Sequence, residues 1–191
     1  MKKLAFLILI ITITFSCENN STSIPIVTSN NEKGELQVIK LITSPSDSNY
    51  IKLDFYPNKG LRMLVEHENG KEKGKYFRWR KNGNLAIEAY RENGDFDRVT
   101  REVHENGRTM FEGKRSNNQF QGINNSFYIS GALKRRWSRI NSKDYGKSVY
   151  YHENGLVKEV GEHTDSGYVL LNKWDTLGVI IQSKNDTLTP K

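Results

Sequence analysis

Apolar and turn-forming positions recur along most of this chain with a fixed step of 24 residues. Phe55, Trp79, Val103, Phe127 and Tyr151 form one column, and Leu61, Leu85, Thr109, Leu133 and Val157 form a second. Between the two columns fall Asn58, Asn82, Asn106, Ser130 and Asn154, all turn residues. An independent turn series, Asn69, Asn93, Asn117, Asn141 and Asp165, keeps the same step. Two interleaved turn series with one period mean two strands per repeat, so the repeating unit is a β-hairpin. No stretch holds a helical period, because Gly or Asn interrupts each one before two turns can form. The pattern predicts an all-β fold: an elongated antiparallel β-meander of about five to six hairpin repeats in a single sheet. Residues 36–42 supply a leading strand, and residues 168–183 read as a degraded last repeat.

The apolar spacing also selects a turn. A two-residue Asn-Gly loop would leave Leu85 facing Arg80, whereas a three-residue loop, Lys81-Asn82-Gly83, pairs Trp79 with Leu85 and Phe77 with Ile87. The same choice pairs Phe55 with Leu61, Leu53 with Met63 and Ile51 with Val65, the apolar matching that sets a hairpin's register. Type I turns closed by a G1 bulge are therefore expected, with Gly70, Gly83, Gly94, Gly107, Gly131 and Gly155 in the left-handed region. Strand parity then puts Phe55, Leu61, Trp79, Leu85, Ile87, Phe111, Phe127, Leu133 and Trp137 on one side. Arg62, Arg78, Glu88, Glu102, Glu112 and Lys134 fall on the other, interleaved with Tyr56, Tyr76, Tyr90 and Tyr128. The apolar side either curls over itself or docks a partner, and the polar side suits a sugar- or protein-binding platform.

The lines YFRWRKNGNLAIEAYRENG and VYYHENGLVKEVGEH resemble the variant MORN repeats of YwqK-type bacterial proteins. In those repeats an aromatic pair is followed by x-Asn-Gly-x-Leu and then an acidic or Gly-containing strand. NGKEKGKYFRW matches the family's linker between units, with Gly74 ahead of the aromatic strand. The resemblance runs from Tyr50 to Ser183, and the copies at Ser130-Gly131 and after Gly167 depart from the consensus. It implies protein–protein or lipid contact and no catalysis. The toxin–antitoxin label often given to such proteins brings no mechanism to these residues.

The N-terminus adds a compartment. Lys2 and Lys3 precede an apolar run from Leu4 to Phe15 that ends in Ser16-Cys17, the layout of a secretory signal peptide. The run is too short for a membrane-spanning helix, which needs about 20 residues. Cys17, the chain's one cysteine, stands where the signal ends. This resembles the lipobox of bacterial lipoproteins and implies lipid attachment at Cys17, although Thr14 stands where Leu is usual. The expected organisation is a signal peptide over 1–16, a flexible tether over 17–34 and a repeat domain over 35–191. Membrane contact runs through the lipid, and the protein is placed in the cell envelope, at the outer membrane. Removal of the signal leaves 27 basic residues against 22 acidic ones, net +5. That excess keeps a protein soluble, and it gives no support to a nucleic-acid partner.

Candidate chemistry centres on His-Glu-Asn-Gly, which occurs at His67, His104 and His152. One hairpin repeat advances about 10 Å, so His104 and His152 lie about 20 Å apart and His67 and His163 about 40 Å. Zinc requires every ligand within about 2.3 Å, so one column cannot supply a metal site. No nucleophile elbow or phosphate loop is present, and no catalytic residue, metal or cofactor is expected. The remaining binding candidates are His67, Arg91, Arg115, Arg139 and His163, one column at the 24-residue step. Along an edge of the sheet they would form a cationic row suited to an anionic glycan or lipid. The function expected is an interaction scaffold with a protein partner; an anionic glycan or lipid binder is the alternative, and an enzyme a distant third.

Overall fold

The computed structural model describes residues 24–30, 36–42 and 48–184; Cys17 and the signal segment lie outside them. The described residues form a single antiparallel sheet of fourteen strands in chain order. The strands are β1 (Ile24–Asn30), β2 (Leu36–Ile42), β3 (Tyr50–Phe55), β4 (Leu61–Glu68), β5 (Lys71–Trp79), β6 (Leu85–Glu92) and β7 (Asp95–Val103). They continue as β8 (Thr109–Ser116), β9 (Gln119–Phe127), β10 (Leu133–Ile140), β11 (Lys143–Tyr151), β12 (Val157–Thr164), β13 (Gly167–Trp174) and β14 (Ile180–Ser183). Each strand hydrogen-bonds only to its neighbours in the chain, so the meander is open. The expected β-hairpin meander is what forms.

One strand lies where a tether was expected. Ile24-Pro25-Ile26-Val27 brings three β-branched residues, and β1 pairs with β2 from Ile24–Ile42 to Asn30–Leu36. Pro25, which lacks a donor, is tolerated because β1 is an edge strand.

The two turn series differ in geometry. In the Asn82 series the Gly83 N–H donates to Arg80 O at 2.9 Å and the Arg80 N–H to Asn84 O at 2.8 Å. With φ of 86° at Gly83, this is the three-residue type I loop with a G1 bulge, and Gly107, Gly131 and Gly155 repeat it. In the Asn69 series only two residues separate the paired ends Glu68 and Lys71. Both have positive φ, 52° at Asn69 and 75° at Gly70, a type I′ turn. Asn93-Gly94 is the same, so the G1 assignment for Gly70 and Gly94 is corrected. Asn tolerates the left-handed region, which lets two residues close the hairpin.

Register is corrected as well. Trp79 pairs with Leu85, and Phe55 with Leu61, as expected. The next residue of the second strand is then bulged out: Arg62, Ala86, Met110, Lys134 and Lys158 each occupy this place. Phe77 consequently meets Glu88, Leu53 meets Leu64 and Ile51 meets Glu66. One unpaired residue reverses the parity of everything beyond it. Ile87, Phe111 and Trp137 therefore share a face with Tyr76, Arg78 and Glu102, here the front face. Trp79 and Phe77, whose rings lie 5.8 Å apart, occupy the back face. A second irregularity falls in β5, β7, β9 and β11, at Gly74, Arg98, Gly122 and Gly146, all with positive φ.

No second layer covers the sheet among the described residues, so burial comes from neighbouring side chains. On the front face Val65, Tyr76 and Ala89 are buried, with Met63, Ile87 and Phe96 packed against them. The column of Tyr76 continues as Thr100, Asn124 and Ser148, all fully covered. On the back face Leu64 and Val103 are buried.

Candidate functional site

The basic column lies on the front face, half-buried, instead of projecting from an edge. The Arg91 guanidinium sits 3.7 Å from the Phe96 ring and 4.8 Å from the Tyr76 ring, with its Nε 3.4 Å from Glu72 Oε2. Arg115 lies 3.8 Å from Phe120 and 5.1 Å from Phe96. Arg139 lies between Phe120 and Trp137, at 5.2 and 5.1 Å. At the ends of the column, His67 stacks on Tyr50 at 4.3 Å and His163 lies 4.8 Å from the Tyr168 ring. The rings belong largely to a second column, Phe96, Phe120 and Tyr168, which pairs directly with the first. Cation and ring thus alternate along the face, each contact worth about 0.5–2 kcal/mol. The guanidiniums consume ring faces, and the rings consume guanidiniums.

Burial lowers the pKa of His67 and, helped by the charges of Arg139 and Arg91, that of Arg115. Arg115 has no carboxylate within ion-pair distance among the described residues, unlike Arg91 and Arg139.

The C-terminal half adds a polar cluster around Asp144. Its carboxylate accepts hydrogen bonds from Arg135 Nη2 at 2.8 Å, Arg139 Nε at 2.8 Å and the Trp137 indole at 3.0 Å. Burial alone would raise Asp144, but the hydrogen bonds and charges of Arg139 and Arg135 outweigh it and hold the group below its ordinary value. His163 Nε2 lies 3.8 Å from Asp144 and 3.0 Å from Arg135 Nη2. Burial and the acceptor Glu159 raise the Tyr168 hydroxyl far above its usual range, so it stays a neutral donor. The column thus brings Arg139 and His163 to one cluster and leaves His67 at the other end of the sheet.

His104 and His152 do a different job. His104 Nε2 donates to Phe127 O at 3.1 Å, and His152 Nε2 to Trp174 O at 3.0 Å. Tyr56, Arg80 and Tyr128, in the same column, donate to Trp79 O, Val103 O and Tyr151 O at 2.8, 2.5 and 2.7 Å. Every member of the column reaches one repeat ahead and satisfies a backbone carbonyl next to the following turn. The turn asparagines reinforce this: Asn58, Asn106 and Asn154 donate to Lys81 O, Ile129 O and Thr176 O. Sequence reasoning weighed these histidines only as possible metal ligands and missed this role. The available signal was that Tyr, Arg and His all carry a donor on a long arm. Among the described residues no group of three or more His, Cys, Asp or Glu is placed to hold a metal ion.

An open cleft of about 660 Å³ lies across the front face of the hairpins β3–β4, β5–β6 and β7–β8. Met63, Ile87 and Met110 give it an apolar floor, and Tyr56, Arg78 and Glu102 stand along it. Sequence columns alone did not reveal it, because the bulges decide which residues share this face. No family model and no curated protein matches this chain. The cleft offers apolar contact flanked by opposite charges, without a nucleophile–base pair.

Proposed function

We propose that this protein is a non-catalytic, lipid-anchored envelope scaffold that binds another protein through its repeat sheet. The observation that carries the reading is the commitment of the reactive side chains. His104 and His152 bind backbone carbonyls, Asp144 binds two arginines, and the arginine column is stacked on rings. What remains is a long two-faced surface with an open cleft, the property of an interaction platform. The resemblance to variant MORN repeats, carried by the in-phase Asn-Gly copies, supports the same reading, and the Ser16-Cys17 signal end supports an anchor in the outer membrane. A second reading, binding of an anionic glycan or lipid through His67, Arg91, Arg115, Arg139 and His163, is favoured by Arg115, which has no carboxylate within ion-pair distance among the described residues and only the more distant charge of Glu102.

The test joins fractionation to crosslinking. Cys17→Ala is expected to move the protein from the membrane to the soluble fraction. A photo-crosslinker on the front face of the anchored protein is expected to give a discrete protein adduct. Unchanged membrane association would remove the anchor from the proposal, and adducts to polysaccharide alone would turn it to the second reading.

A further inference from the structure

The cleft has a feature that the later repeats lack. In the column of Met63 and Ile87, the next positions are Phe111 and Arg135. Phe111 packs against Phe120 at 5.0 Å and Trp137 at 5.9 Å, and Arg135 covers Trp137 at 4.3 Å and Tyr150 at 4.9 Å. These contacts fill the face. In the hairpins β3–β4 and β5–β6 the same place holds the aliphatic Met63 and Ile87, which line the cleft, and the face stays open.

The charges around the opening are unequal in their commitments. Arg62 pairs with Asp54, and Arg80 is bound to Leu85 O and Val103 O. Arg78 is exposed and Glu102 is half-buried; neither makes a hydrogen bond or a close ion pair among the described residues, and Glu102 feels only the more distant charge of Arg115. Both pair with Ile87, Arg78 from β5 and Glu102 from β7, so they stand two strand spacings apart, about 10 Å, on either side of an apolar floor. An uncommitted cation calls for a carboxylate, and a half-buried, unpaired carboxylate calls for a donor. The cleft's lining extends from β4 to β8, about 20 Å, the length of about six extended residues.

We infer that this cleft is the docking site for an extended peptide segment of the partner, presenting an apolar side chain beside an acidic residue. The apolar side chain seats on Met63, Ile87 and Met110, two of which are flexible thioethers able to adapt to it. The acidic residue pairs with Arg78, and a peptide N–H donates to Glu102. Sugar is the poorer occupant, because, of the rings that line the cleft, Tyr76 is covered by Arg91, Trp79 lies against Phe77 and the Tyr56 hydroxyl is spent on Trp79 O. The inference rests on the scaffold reading and gives it a location and a ligand class.

A displayed library of random heptapeptides, selected on the full-length protein, tests it. Peptides carrying an aromatic or long aliphatic residue next to Asp or Glu are expected to be enriched. A synthetic consensus heptapeptide is expected to bind at least tenfold more weakly to Arg78→Glu, an exposed position where folding is checked by thermal melting. Lys114→Glu, outside the cleft, is expected to leave binding unchanged. Absence of enrichment, binding insensitive to Arg78→Glu, or equal loss in Lys114→Glu overturns the inference. If envelope crosslinking still yields a protein adduct with the Arg78→Glu protein, the scaffold stands and only the cleft assignment falls.

Discussion

A left-handed backbone costs an ordinary side chain about 1–2 kcal/mol, and that cost marks the places where a repeat has drifted. Gly83, Gly107, Gly131 and Gly155 take the positive φ that closes their loops, but the β3–β4 hairpin has Lys59 there, at φ 66°. Lys59 is exposed. Lys59→Gly relieves the strain against the smaller entropic cost of a new glycine, so stability is expected to rise by about 1 kcal/mol. Thermal melting should register this as an upward shift of about 2–4 °C; an unchanged or lower midpoint contradicts it. Arg98 is the parallel case among Gly74, Gly122 and Gly146, but its guanidinium lies 3.8 Å from the Tyr90 ring and offsets part of the strain. Turn glycines were legible in the sequence because backbone geometry is written directly into residue type. The carbonyl bridges of His104 and His152 were not, because what the column shares is a donor's reach, and unlike residues supply it.

Between residues and molecule, the unit that matters is the hairpin and its link to the next one. The His104 bridge to Phe127 O is worth about 1 kcal/mol, as are its counterparts from Tyr56, Arg80 and Tyr128. His104→Ala is therefore expected to destabilise by about 1 kcal/mol in chemical denaturation. His104→Arg, which copies the side chain that Arg80 uses, is expected to stay near wild type. Equal losses in the two variants would show that the bridge is incidental. At this scale the sequence disclosed hairpins, period and the first apolar pair of each strand, and then misled. A bulged Ala86 or Lys158 carries no compositional mark, and Ile87 looks equally at home on either side of a sheet until the bulge assigns it. The basic column was visible for the same reason as the turns, its 24-residue step. Its stacking was not, since the ring column joins it only through the pairing across each two-residue hairpin.

For the molecule as a whole, nearest-neighbour pairing makes the architecture one-dimensional and its stability close to a sum over repeats. Excising Gly83–Asn106 joins Asn82 to Gly107, preserves the turn, and sets Arg80 one repeat before Phe127, where His104 had been. This 24-residue deletion is expected to fold into the remaining twelve strands, with unchanged ellipticity per residue and stability lower by about 1–4 kcal/mol. Loss of the cooperative transition would mean that distant repeats depend on one another. The strands lie across the long direction of the sheet, whose thirteen steps of about 4.8 Å give roughly 60 Å. Tension applied between β1 and β14 would therefore load one ladder at a time, peeling the terminal strand before its neighbour feels the pull. Pulled from its two ends, such a sheet would yield in hairpin-sized steps and act as a mechanical fuse.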